Sequence, residues 1–434
     1  MDVIKIGIVS LGCAKNLVDS ELILGMFKKG NFAIVQKPED ADVIIVNTCG
    51  FIDSSKEESI KTILEMAKYN KRLVVVGCLV ERYLDELKKA IPEVDLFVPI
   101  RDYSKLNVLI EKLMHTKKIT KFNPLNRVIS TQPFTAYLRI SEGCNNCCTY
   151  CAIPLIRGSF RSRPLEEIEI EATELEKNGV KEIVVISQDT TRYGTDIKDK
   201  NINICDLLKM LLSHKGFLYI RLLYLYPDEL SDELIELMGK EERLTPYFDL
   251  PIQHSSSRLL QSMNRRGDRE FLLSLIKKIR DKVPNAILRT TLIVGFPGET
   301  EEDIEDLKSF IQEVKFDHLG CFTYSLEEGT VSSTFENQID EETKQQRYES
   351  IMEIQAQISL ENNKKRVGQT FKGIIIDYDE EHDDYLFRCA WNAPDDIDGN
   401  IYIKSEEPLE EGKEISVVIE DYDTYNLYGR IIEK

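Results

Sequence analysis

Four cysteines fall within the eight residues Cys144-Asn145-Asn146-Cys147-Cys148-Thr149-Tyr150-Cys151, a density that packing a core does not explain. Read as Cys144-x3-Cys148-x2-Cys151, the stretch offers three thiolates. A four-iron cluster held by three protein ligands keeps one iron open for a further ligand. Cys147 also permits Cys144-x2-Cys147-x3-Cys151, and spacing alone does not exclude that register. A zinc knuckle or a disulfide pair is the competing explanation. Zinc would call for a fourth Cys or His close by, and the next histidine is His254.

Three further cysteines each stand beside a glycine just past an apolar, strand-like run. They are Cys13 in Leu11-Gly12-Cys13-Ala14-Lys15-Asn16, Cys49 in Asn47-Thr48-Cys49-Gly50 and Cys78 in Val76-Gly77-Cys78-Leu79. Buried thiols serving only as packing belong inside strands. Strand-end positions suit a shared metal site better, and glycine lets backbone approach a bulky inorganic group. Again only three ligands are offered.

The elements that must position these residues are legible as alternation. Short β-branched runs at residues 4–10, 32–35, 43–47, 73–76 and 96–98 are separated by helical patterns, among them 54–69, which opens with the capping-box spacing Ser54-x-x-Glu57. Such alternation predicts an α/β domain with a parallel sheet over residues 1–116. The carboxyl ends of parallel strands share one edge, where ligands bind, so three cysteines far apart in sequence can converge there. Residues 117–134, polar and carrying Pro124 and Pro133, read as a linker.

A second alternation fills 135–340, with strands at 135–141, 182–187, 219–225, 248–253, 288–295 and 319–325 and helices including 165–178, 269–283 and 301–314. Six β/α units predict a partial barrel whose chemistry lies at the carboxyl ends of the strands. The cysteine loop follows the first strand. Polar loops follow the others: Ser187 to Gly194, Tyr226-Pro227-Asp228, Gln253 to Ser256, Gly295 to Thr300 and Tyr324 to Thr330. Gln188, Gln253 and Gly295, with Tyr150, are the expected cofactor contacts. Glu299 and Thr300 equally suit a helix cap, and His254 equally suits a satisfied structural histidine. Arg157, Arg161 and Arg163 read as a solvated basic segment, with binding of an acidic group as the alternative. Residues 341–366 form a polar helical connector, and 367–434 a small β-barrel with turns at Asp398-Gly399 and Glu411-Gly412. Cys205, Cys321 and Cys389 are assigned to packing.

The 434 residues carry a net charge of −19, which argues against a general nucleic-acid binder. Residues 367–434 alone hold 6 Lys and Arg against 18 Asp and Glu, a net of −12. The chain opens on a strand-like segment without a basic leader, and no run approaches the roughly 18 apolar residues of a membrane span. A cytoplasmic protein without a membrane partner is expected.

On the cysteine spacing, with Tyr150 before the third cysteine, the chain resembles the radical S-adenosylmethionine (SAM) superfamily. In that superfamily the open iron chelates SAM, an electron splits it to a 5'-deoxyadenosyl radical, and the aromatic residue sits near the adenine. The three-part architecture resembles the methylthiotransferases, whose terminal module is called a TRAM domain. The resemblance implies two 4Fe-4S clusters, one on Cys144, Cys148 and Cys151 and an auxiliary one on Cys13, Cys49 and Cys78; because a radical must meet its target carbon before water or protein, the auxiliary cluster is expected to face the barrel opening.

Within the family, Gln188 to Gly194, Phe322 to Ser325 with Glu327 to Thr330, and Ala393 to Gly399 look like the RimO-type branch. That branch modifies the β-carbon of an aspartate in small-subunit ribosomal protein number twelve. The acidic terminal barrel points the same way, since it would repel tRNA and attract a basic ribosomal protein. The expected partners are that protein, bound largely by the terminal barrel, and an electron donor, with no nucleic acid as direct substrate. The competing functions are methylthiolation of tRNA adenosine and a non-catalytic iron-sulfur carrier or scaffold.

Overall fold

The computed structural model describes residues 3–433 apart from 29, 117–118, 124, 199–201 and 395–396. Met1, Asp2, Lys117, Lys118, Pro124, Asp395, Asp396 and Lys434, all within segments interpreted above, lie outside the described residues.

Nearly unbroken Val/Ile runs are what strands buried on both faces require. Here they give β1 (Ile4–Ser10), β2 (Phe32–Ile34), β3 (Val43–Thr48), β4 (Arg72–Gly77) and β5 (Leu96–Val98), a parallel sheet in the order β2-β1-β3-β4-β5. The helices α1 (Ala14–Gly25), α2 (Asp53–Ala67), α3 (Cys78–Ala90) and α4 (Leu106–Met114) accompany it. Ile6, Ile45 and Val74 pack with Ile23 and Ile110 on one side, and Ile44, Val46 and Val75 with Ile63 and Leu87 on the other. Ser10 stands opposite Asn47, and Thr48 opposite Gly77, so three neighbouring strands end level.

The capping box expected at Ser54 does not form. α2 starts one residue earlier, after Ile52, without a side-chain cap, and the Asp53 N–H faces Ser325 Oγ of the second domain at 3.4 Å. A tertiary contact replaces the local one.

The second domain holds β6 (Thr135–Arg139), a short antiparallel pair β7 (Ser141–Glu142) and β8 (Arg161–Ser162), then β9 (Glu182–Ile186), β10 (Tyr219–Leu222), β11 (Tyr247–Gln253), β12 (Ile287–Val294) and β13 (His318–Thr323). The long strands are parallel and run β6-β9-β10 and β11-β12-β13, two halves joined where Ile220 bridges Leu244. The helices are α5 (Ile153–Arg157), α6 (Leu165–Lys177), α7 (Ile204–Ser213), α8 (Asp232–Lys240), α9 (Ser257–Ser262), α10 (Arg269–Lys282) and α11 (Glu301–Val314). The result is the expected open six-stranded barrel.

α12 (Glu341–Lys364) leads to β14 (Thr370–Asp379), β15 (Asp384–Cys389), β16 (Ile401–Ile403), β17 (Glu414–Tyr422) and β18 (Leu427–Glu433), which close in the order β14-β15-β16-β18-β17. This small barrel does not hang free. Phe387, Trp391 and Ile401 join Tyr137, Val184 and Tyr247 of the open barrel and Ala14, Val18 and Leu22 of α1 in one apolar cluster. Arg221 donates to Cys389 O at 2.7 Å, Arg388 pairs with Glu182 at 3.0 Å, and Tyr247 donates to Asp398 at 2.7 Å. The segment expected to be a linker is pinned as well: buried Arg127 reaches Glu21 of α1, Glu171 of α6 and Tyr137 O. Among the described residues no helix is long and apolar enough to cross a membrane.

Candidate functional site: two facing thiol triads

Because β1, β3 and β4 end level, the residues that follow them meet at one edge. Cys13 precedes α1, Cys49 follows β3 and Cys78 opens α3. The charge of Cys13 acts on both Cys49 and Cys78, and that of Cys49 on Cys78. Two glycines make the approach feasible. A Cβ on Gly12, at φ +85°, would lie 2.9 Å from Cys49 Sγ, and one on Gly77, at φ +104°, would lie 2.7 Å from Thr48 N. Burial pushes the Cys49 thiol up and Cys78 to about 12, with Arg157 opposing the latter.

The barrel triad hangs from the β7–β8 pair. Cys144 N donates to Gly158 O at 3.1 Å and Thr149 N to Met263 O at 3.1 Å, which fixes both ends of the loop. Burial and then the Cys148 charge push Cys151 to about 12, and burial raises Cys144. Cys147 is exposed, at φ +51°, while Cys144, Cys148 and Cys151 are half-buried. Tyr226 OH lies 3.0 Å from Cys148 Sγ, and buried Arg265 stacks on the Tyr226 ring at 3.8 Å while Nη1 sits 4.0 Å from that sulfur.

Among the described residues no three His, Cys, Asp or Glu side chains gather tightly enough for a single ion. A four-iron cube, whose thiolates each bind a different iron, takes a wider set. The all-thiol donor sets and the glycine-lined approach fit such a group, and Cys49, Cys78, Cys144 and Cys151, raised by burial, would release protons on binding it.

The two edges face each other. Cys78 packs with Ala152 and Ile156, immediately beyond Cys151. Arg157, at the end of α5, sends Nη2 to Asn16 Oδ1 at 2.6 Å and to Cys78 Sγ at 3.5 Å, and Nη1 to Asp19 at 2.7 Å. Asn16 in turn donates to Leu11 O and Thr48 O, both at 2.9 Å, and accepts from Cys78 Sγ at 3.3 Å. The expectation of a solvated basic segment is thus corrected. Arg161 is exposed, but Arg163 binds Glu171 at 2.6 Å and Arg157 is buried because Asp19 compensates its charge. On the rim, buried Glu327 takes Lys56 at 2.9 Å and Arg82 at 2.7 Å, clamping the domains together.

The remaining expected residues divide. Tyr150 packs against Leu259, Met263 and Phe296. Gln188 Oε1 is a buried acceptor without a partner, an opening for a ligand donor, and Gln253 is buried at φ +71°. Gly295, at the end of β12, donates its N–H to Glu299 at 2.8 Å, and a Cβ there would meet the Lys344 stem. Thr300 caps α11 in a capping box with Asp303, and His254 is fully buried, its Nδ1 accepting from Ser255 N and Ser256 N at 2.9 Å. Cys205, Cys321 and Cys389 are buried in apolar clusters.

Sequence reasoning missed Lys15, Asn16 and Arg265 as site residues. The first two adjoin Cys13 and were open to that inference. Nothing in the spacing around Arg265 marks it.

Residues 138–311 match the radical SAM superfamily, 367–432 the TRAM domain and 5–99 the uncharacterized protein family UPF0004. The fold is shared with a radical SAM methyltransferase, TsrM from Kitasatospora setae, at TM-score 0.54 and 12% identity over 74% of this chain and 75% of that one. It is shared also with the cobalamin-dependent radical enzyme OxsB, at TM-score 0.51 and 13% identity over 81% of this chain and 56% of that one. Fold and site thus define a radical SAM protein with an amino-terminal α/β domain and a terminal TRAM barrel.

Ribosomal protein uS12 methylthiotransferase RimO of Clostridioides difficile (strain 630) is 45% identical over 99% of each chain, and that of Clostridium botulinum (strain Eklund 17B / Type B) 47% identical over 98% of this chain and 97% of that one. The chain belongs to the RimO family of ribosomal protein uS12 methylthiotransferases.

Proposed function

We propose that this cytoplasmic enzyme attaches a methylthio group to the β-carbon of an aspartate in ribosomal protein uS12. The observation that carries the reading is the pair of thiol triads on facing strand edges, in a chain 45–47% identical along its length to uS12 methylthiotransferases. Cys144, Cys148 and Cys151 would hold one 4Fe-4S cluster, with exposed Cys147 outside the set, and Cys13, Cys49 and Cys78 a second. With SAM and an external one-electron donor, such a centre supplies hydrogen abstraction from an unactivated carbon, which acid-base side chains do not achieve.

The chain's own residues hold and enclose. Tyr150, Gln188, Gln253 and Gly295 line the proposed SAM site, Gln188 offering its free carbonyl oxygen to a donor. Tyr226 and Arg265 flank Cys148, while Asn16 and Arg157 brace Cys78. The Glu327 clamp keeps the mouth narrow and water out. The acidic terminal barrel would gather the basic substrate and disfavour tRNA.

The deciding experiment is anaerobic reconstitution followed by incubation with excess SAM (one molecule for the methyl group, a second for the radical), a reductant, inorganic sulfide as sulfur source, uS12 and tRNA. Wild type should bind twice the iron of a Cys13→Ala, Cys49→Ala, Cys78→Ala variant, release 5'-deoxyadenosine and add one methylthio group to uS12. An unmodified uS12 alongside methylthiolated tRNA would reject the substrate assignment, and iron binding without SAM cleavage would leave only a carrier.

A further inference from the structure

Lys15 is buried where the two loops meet, yet no carboxylate pairs with it; burial lowers its pKa, and the strongest charge effect opposing this is that of Cys13. Its ammonium donates to Ser187 O at 3.2 Å and lies 3.3 Å above the Tyr224 ring; among the described residues no carboxylate comes within 4.0 Å. Neighbouring cations are compensated. Arg157 and Arg139 share Asp19, at 2.7 and 2.6 Å. Asp249, whose charge reaches Lys15, is engaged by Arg289 at 2.9 Å and by Tyr224 N at 2.9 Å. A buried ammonium has three donors to satisfy and is ordinarily paired. The first turn of α1, which carries Lys15, holds no acidic residue, so the positive helix end adds to the same positive charge. Tyr224 is held beneath it at φ +61°, a conformation L side chains rarely adopt and one that concentrates at functional sites.

We infer that Lys15 binds the side-chain carboxylate of the substrate aspartate and so selects acid over amide at the modified position. This rests on the function proposed above. Lys15 follows Cys13 by two residues and contacts Ser187, which precedes Gln188, so it stands between the triad on one edge and the proposed SAM site on the other. The target β-carbon must lie between those two sites, and its carboxylate is one bond away. Arg265, the other buried cation there without a carboxylate, lies against Cys148 and belongs with the SAM side.

The test uses the full-length reconstituted protein and two synthetic peptides from uS12, one with the target aspartate and one with asparagine in its place. Wild type should bind the aspartate peptide roughly 10- to 100-fold more tightly, the span expected for a hydrogen bond to a charged group. Lys15→Met should bind both with the weaker affinity, and Lys15→Arg should recover part of the preference. Iron content and thermal midpoint establish that each variant is folded and loaded. A Lys15→Met protein that keeps the preference overturns the inference while leaving uS12 as substrate. So does one that loses SAM affinity without losing the preference, since the carboxylate is then that of SAM. A wild type indifferent to the two peptides also overturns it, and modification of intact uS12 then decides separately whether the functional reading survives.

Discussion

Arg157 shows what a single side chain does here. Its fork meets Asp19 and Asn16, and all three side chains are buried. Arg157→Met leaves Asp19 still paired with Arg139, so the loss is that of charged hydrogen bonds, about 2 kcal/mol; the urea midpoint of the apo-protein should fall accordingly. Arg157→Lys should restore less than half, because a point charge cannot span both acceptors. Glu299 gives a pH signature instead. Burial pushes its carboxyl from about 4.5 to about 7, against the Gly295 N–H and Arg347. The folded state therefore keeps a proton that the unfolded chain releases. The resulting stabilisation is complete below about pH 4.5 and lost as pH rises through 7. Relative to Glu299→Gln, wild type should lose about 3 kcal/mol between those limits, read from paired unfolding curves. Buried His254, lowered to about 4 by burial, works in the opposite sense and lies 3.6 Å from Glu299 through Nε2, so the pair of curves is repeated in a His254→Gln background to isolate the carboxyl.

At the scale of elements, helix starts separate local from tertiary control. Thr300 makes its capping box, so Thr300→Ala should cost about 1 kcal/mol and leave iron content unchanged. Ser54 has the same spacing and makes none, since the Asp53 N–H is drawn to Ser325 across the domain interface. That contrast explains what could be read in advance. Strands buried on both faces announce themselves as Val/Ile runs, so all five of the first sheet and all six of the open barrel are legible, and with them the cysteines at their ends. Arg157 and Arg163 resemble solvent-facing arginines because their compensating acids, Asp19 and Glu171, lie 138 and 8 residues away, positions no local pattern connects. Arg265 and Lys15 are hidden for the same reason: their roles come from burial against Tyr226 and Tyr224.

For the whole molecule, charge and closure act together. Glu380, Glu381, Glu406, Glu407 and Glu410 are exposed on the terminal barrel. If the barrel gathers its substrate by charge, affinity for uS12 should fall steeply as salt rises, since charges more than about 10 Å apart are largely screened at 0.1 M; titrations that give one affinity at low and high ionic strength would contradict this. The barrel cannot be only a charged handle, because its core is continuous with that of the open barrel and with α1. The contact between Asn16 and Arg157 has a reach of its own. One residue follows the first thiol of one loop, the other closes the short helix after the last thiol of the other, so ordering either side presets its counterpart. Reciprocity obliges the influence to be equal in both directions. Maturation should then be cooperative: at limiting iron, native mass spectra should show empty and doubly filled chains, with half-filled ones scarce.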